Sequence, residues 1–218
     1  MEYVEGEDLR HALAAGAFPV ERAQAIAYGS AQGHGAAHAK GIVHRDVKPE
    51  NILLAGGNGQ PETSKLLDFG IAAIQGSATA ASRTHGLLLT PSYAAPEQWQ
   101  DMASEQLDGS AELYALGGVL YEMLTGQTYF RSHNTEGWMH QHLHEAPQPP
   151  SQLRPELANR PGLDALVLRL LVKDREQRLE DAAELVNLLD VVRNLPIDAQ
   201  RESNVLSYRI AISTPLPS

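Results

Sequence analysis

The sequence predicts a mainly α fold with short β hairpins, and three observations predict it. The run Leu113-Tyr114-Ala115-Leu116-Gly117-Gly118-Val119-Leu120-Tyr121-Glu122-Met123-Leu124 is apolar around its whole circumference yet too short to span a bilayer, so it belongs in the middle of a protein. Further stretches carry apolar residues at helical spacing. Strand-like segments are confined to short apolar runs, Ile42-Val43, Ile52-Leu53-Leu54 and Leu66-Leu67. A chain of 218 residues has room for one substantial core, since domains typically run ~100–200 residues.

Taken in order, Ala23, Ile26, Ala27, Ala31 and His34 form a helical stripe after Pro19, a good helix-start residue, and Gly41 ends that helix. Ala55-Gly56-Gly57-Asn58-Gly59 lies between two apolar runs and reads as a hairpin turn. Its glycines do not fit G-x-G-x-x-G and open no helix, so a turn is favoured over a phosphate cradle. From Gln75 to Leu87 the residues become small and polar, which predicts a mobile loop. Leu163, Leu166, Val167, Leu170 and Leu171 make one amphipathic stripe; Ala182, Leu185, Val186, Leu189 and Val192 make another. Beyond about residue 194 the periodicity fades. Residues 195–218 are expected to be a tail, with a short strand at Val205 to Ile212.

Composition bounds the function. With 27 acidic and 17 basic residues the net charge is −10, which argues against a nucleic-acid partner and against an anionic membrane surface. There are no cysteines, so disulfides, zinc–thiolate sites and cysteine nucleophiles are excluded. The opening Met1 to Glu7 is too acidic for a signal peptide, and no stretch reaches the ~18 apolar residues of a transmembrane helix. A soluble, cytoplasmic chain without a membrane segment is expected. His140 and His144 share a helix face, but without a third ligand a polar surface helix is the better reading.

The chemistry concentrates in His44-Arg45-Asp46-Val47-Lys48-Pro49-Glu50-Asn51, which the runs around it place between two short strands. Phosphoryl transfer from a nucleotide needs few protein groups, but they must be well placed. A carboxylate accepts or orients the attacking hydroxyl's proton. A cation offsets charge on the transferred group, and oxygen ligands hold magnesium on the phosphates. Asp46, Lys48 and Asn51 match these tasks in that order. Asp68-Phe69-Gly70 follows Lys65-Leu66-Leu67 and supplies a second carboxylate at a strand end, the main metal ligand.

Together with Ala95-Pro96-Glu97, these segments stand in the order and spacing of the eukaryotic-like protein kinases, and the chain resembles the C-terminal lobe of a Hanks-type serine/threonine kinase of bacterial kind. Lys48, two residues after Asp46, resembles the serine/threonine branch. The resemblance spans residues 1–194. It implies a protein-kinase-like fold, ATP and Mg2+ as cofactors, and a protein substrate phosphorylated on Ser or Thr. It further implies catalytic roles for Asp46, Lys48, Asn51 and Thr90, with Thr90 touching Asp46 and Lys48. Magnesium would fall to Asn51 and Asp68. The nucleotide would meet these two, Lys48, and a hinge near Glu2 and Val4. His44, Arg45, Phe69, Gly70, Glu97, Glu112 and Arg178 take structural or regulatory roles. Arg178 would pair with Glu97, and Arg45 would receive a phosphate from Thr79, Ser82, Thr84 or Thr90.

The resemblance has departures. Residues 1–44 contain no glycine-rich phosphate loop, no strand lysine and no helix glutamate to pair with it. Leu89 stands where the family usually has glycine. Ser110-Ala111-Glu112 replaces Arg-Ser-Asp, so Glu112 must bond the catalytic-loop backbone with one extra methylene. Two expectations follow: a truncated catalytic domain with little activity as isolated, or a non-catalytic kinase-fold protein that binds partners. In either case the apolar surface normally covered by the N-terminal lobe would invite a dimer or a partner.

Overall fold

The computed structural model describes residues 5–57, 60–69, 90–100 and 108–194. The expectations at Glu2, Val4, Gly70, Thr79, Ser82, Thr84 and Leu89, and the strand at Val205 to Ile212, lie outside these residues.

The described chain begins with β1 (Gly6–Asp8) running directly into α1 (Leu9–Leu13). Asp8 caps this helix by accepting from His11 N at 2.8 Å, which satisfies one of the orphan amides of a helix start. After Pro19 comes α2 (Val20–His38), whose apolar stripe Ala23, Ile26, Ala27, Ala31 is buried as its spacing predicts. The glycine-rich segment does form a hairpin, between β2 (Ile52–Gly57) and β3 (Gln60–Leu66). The three strands make an antiparallel sheet in the order β1-β2-β3, with Leu54 opposite both Glu7 and Ser64. The sheet lies on α2, where Ser64 Oγ donates to Ile26 O at 3.0 Å.

One local expectation changes. Ile42 and Val43 form no strand, so the segment from His44 to Asn51 follows a helix rather than a strand. The cause is the helix end. Gly41 takes a left-handed φ of 70°, and Ile42 N turns back to Ala37 O at 3.0 Å, which uses the amide a strand would need.

The second half is helical: α3 (Pro96–Trp99), α4 (Gly109–Thr125), α5 (Thr135–His144), α6 (Pro150–Leu153), α7 (Pro161–Leu170) and α8 (Ala182–Asn194). The run from Leu113 to Leu124 lies in α4, and every residue from Ala111 to Leu124 is buried. Helices α2 and α7 pack on it, and α8 packs on α2. Gly117 decides how close α7 comes, because a Cβ there would stand 2.6 Å from Leu170 Cβ. Leu116, Val119, Leu120, Leu166 and Leu170 are each at most 1% exposed; truncating one such leucine typically costs ~2–5 kcal/mol.

Helix α5 is the surface helix expected of it except at one residue. His142 is fully buried, stacked on Trp99 at 5.8 Å with Nδ1 3.1 Å from the Tyr114 hydroxyl. Loss of water pushes its pKa down to about 3, with Lys173 adding to the effect, so the ring is neutral. His140 and His144 remain outside, their rings 5.2 Å apart. Among the described residues no group of three or more His, Cys, Asp or Glu could hold a metal ion. No described helix is long and apolar enough to cross a membrane.

Candidate active site

The loop from His44 to Asn51 has little regular structure, and side chains from neighbouring elements hold it. Glu112, on the first turn of α4, accepts from the backbone amides of His44 and, at 2.9 Å, Arg45 through the same Oε1. That hold supports Arg45 in a left-handed conformation with φ 69°, a state that costs a non-glycine residue ~1–3 kcal/mol and persists only when its surroundings enforce it. From the other side, His44 Nε2 bonds Leu67 O at 2.6 Å, and the His44 and Phe69 rings lie 4.8 Å apart. Leu67 N in turn donates to Asn51 O at 2.9 Å. The segment bearing Asp68 is thereby fastened to both ends of the loop. Asp68 itself is exposed and left-handed, with φ 57°.

Four of the residues singled out by sequence meet in one cluster. Asp46 Oδ2 lies 2.6 Å from Lys48 Nζ and accepts from Asn51 Nδ2 at 3.1 Å. Asp46 Oδ1 accepts from the Thr90 hydroxyl at 3.0 Å, and Lys48 Nζ donates to the same Thr90 oxygen at 3.3 Å. Asn51 Nδ2 also bonds Asp46 O at 2.8 Å, which leaves the amide oxygen as the atom able to face a cation. The Asp46 and Lys48 side chains keep 31% and 24% of their surface, so the cluster is open to solvent.

Glu97 and Arg178 form a different kind of site. Arg178 Nη1 and Nη2 reach the two Glu97 oxygens at 2.7 and 2.6 Å, a bidentate pair with both side chains almost wholly buried. The other guanidinium protons go to Ser110 O at 2.9 Å, Val172 O at 2.9 Å and Lys173 O at 3.2 Å. The pair joins the start of α3 to the segment before α8 and to the first turn of α4.

Sequence reasoning missed a third buried acid. Glu122 interrupts the apolar circumference of α4 and is 6% exposed. It accepts from Arg10 Nη1 at 2.6 Å and from the Tyr93 hydroxyl, and Arg10 Nη2 donates to that same hydroxyl at 2.5 Å. Arg10 also meets Glu50 at 3.0 Å, so α1, the loop from His44 to Asn51 and the segment Thr90 to Tyr93 are tied together. The signal was present, because the lone charge in the otherwise apolar run from Leu113 to Leu124 needs a partner. The partners themselves lie far away in sequence. His34 and His38, which face Glu112 from α2, were missed as well.

Known proteins bear on this geometry. The protein kinase domain family matches residues 1–188. The serine/threonine-protein kinase pkn3 of Myxococcus xanthus is 36% identical over 225 residues, covering 100% of this chain and 40% of the relative. The serine/threonine-protein kinase PknB of Mycobacterium tuberculosis is 36% identical over 204 residues, covering 92% and 31%. The chain thus spans well under half the length of these curated relatives. Among solved structures, a double-mutant PknI kinase domain from Mycobacterium tuberculosis superposes with a TM-score of 0.64 at 26% identity, over 88% of this chain and 64% of that one. A helical body with a small sheet, a matched family over nearly the whole chain and relatives named as serine/threonine kinases agree, and the chain belongs to the protein kinase family, on its bacterial serine/threonine side.

Proposed function

We propose that residues 1–194 form the catalytic lobe of an ATP- and magnesium-dependent kinase that phosphorylates serine or threonine in proteins. One observation carries the reading: an aliphatic hydroxyl already sits between a carboxylate and an ammonium group. Thr90 Oγ1 donates to Asp46 Oδ1 at 3.0 Å and receives Lys48 at 3.3 Å. A substrate hydroxyl exchanging with Thr90 at Asp46 would find a group to orient it and accept its proton, with a cation beside it for the charge on the phosphoryl group. Asn51 and Asp68 offer a carboxamide and a carboxylate, the hard oxygen donors that magnesium takes together with nucleotide phosphates. Held by these two residues, magnesium would supply positive charge against the phosphates. The Glu112 and His44 bonds keep the loop in place while this occurs, and placement is most of what such an enzyme contributes.

The test is phosphate incorporation by a protein in which these residues are joined to an N-terminal lobe. Magnesium and ATP should label serine or threonine, and Asp46→Asn should abolish the label; undiminished transfer would remove Asp46 from its role. A polypeptide of residues 1–218 by itself should transfer negligibly, because residues 1–44 carry neither the glycine-rich loop nor the strand lysine that the family places on the α and β phosphates. Losing one preorganised contact of that kind costs ~2.7–4 kcal/mol, a factor of ~100–1,000 in rate. Robust turnover by that polypeptide, lost in Asp46→Asn, would overturn this part of the reading.

A further inference from the structure

The two carboxylate oxygens of Glu112 have separate duties. Oε1 takes the amides of His44 and Arg45, and Oε2 stands 2.6 Å from His38 Nε2 on α2. A carboxylate only accepts, so the proton in this bond is on the imidazole. A second imidazole faces the same oxygen without helping it. His34 Nδ1 is engaged with Ser30 O at 2.8 Å, and its Nε2 lies 3.8 Å from Glu112 Oε2 with no hydrogen-bond partner. Burial pushes the pKa of His34 down to about 4, so the ring is neutral and turns a bare lone pair toward the acid. Only His38 then restrains Oε2 among the described residues. The approach of that ring depends on Gly109, where a Cβ would meet His38 Cε1 at 2.5 Å.

We propose that His38, admitted by Gly109, is a positioning residue: it locks the rotatable end of Glu112 so that Oε1 stays on the loop amides. Without it the glutamate has one torsion more than an aspartate would, and that freedom passes directly to the strained Arg45 backbone. The consequence for phosphoryl transfer rests on reading residues 44–51 as the catalytic loop; the geometry itself does not.

The experiment therefore needs no nucleotide. Amide hydrogen exchange at His44 and Arg45 is measured on residues 1–218 and on three variants. In His38→Leu these two amides should exchange about tenfold faster, the effect of losing one charge-assisted hydrogen bond, while the amides of α2 and α4 hold their rates. His38→Gln places a donor near the Nε2 position and should stay near the parent rates. Gly109→Ala leaves both partners' side chains in place and suits a helix start, yet should reproduce His38→Leu by displacing the ring. Uniform acceleration throughout α2 and α4 would reduce His38 to packing. Failure of glutamine to rescue, or of alanine at 109 to accelerate, would overturn the inference. Intact amide behaviour beside absent phosphate transfer by the protein joined to an N-terminal lobe would instead count against the proposed function alone.

Discussion

Two ion pairs in this protein have the same 2.6 Å separation and opposite uses. Arg178 and Glu97 are almost wholly removed from water, whereas Lys48 and Asp46 keep about a quarter to a third of their surface. At equal distance the surroundings decide the energy. In the interior the pair is weakly screened and each charge depends on the other, so losing one partner leaves an uncompensated buried ion. Near solvent the attraction is modest, typically 0–1 kcal/mol, and water can take over either charge. The first pair fastens three segments of the fold. The second stays open to solvent, as the proposed function requires of groups that would meet a substrate.

The largest test breaks the buried pair. Arg178→Ala should destabilise the protein by ~3–5 kcal/mol in chemical denaturation. Arg175→Ala, at the exposed contact with Asp108, should cost less than ~1 kcal/mol. Equal, small losses would erase the distinction. Replacing Glu97 and Arg178 together by well-packed apolar residues should recover most of the loss, since the interior then holds no orphan charge.

An acid titration sharpens the same contrast. His142, packed on Trp99 beside the buried region, has a folded pKa lowered from 6.5 to about 3. The unfolded chain therefore binds a proton more readily than the folded one below about pH 6.5, and stability is lost as pH falls from there toward 3. At ~1.4 kcal/mol per unit, this residue alone should account for about 2 kcal/mol between neutral pH and about pH 5. His34, lowered to about 4, adds a parallel loss. His142→Phe should remove its share of the slope, and an unchanged slope in urea titrations at several pH values would show that the ring is solvated.

The smallest expected effect belongs to the open cluster. Asp46→Asn and Lys48→Ala should each move stability by less than ~1 kcal/mol, read from the same denaturation curves. A loss as large as that of Arg178→Ala would mean that this cluster also holds the fold together, and the comparison would fail.

Much of this was legible beforehand because it is local. The stripe on α2, the hairpin around Gly56 and Gly57, the buried helix α4 and the amphipathic helices α7 and α8 follow from period and turn chemistry, which act over a few residues. Asp46, Lys48 and Asn51 could be picked out because the loop carries its chemistry within one short segment. Ile42 and Val43 were misread for the reason that short apolar runs mislead: pairing requires a free amide, and the end of α2 had used it. His142 was misread because its helix looks polar in isolation, and only Trp99, Tyr114 and Phe130 make its position an interior one.

What the sequence determined by itself was therefore the helical class, the order of the elements and the residue types of the site, all set by spacing and side-chain chemistry along the chain. Only the tertiary structure decided which charges are buried and which face each acid turns to whom. Glu122 finds Arg10 across 112 residues, Glu112 finds His38 across 74, and Arg178 finds Glu97 across 81. No periodicity encodes such meetings. They arise because packing α2 and α7 against α4 brings distant polar groups into a region where water cannot satisfy them, and each then has to satisfy another.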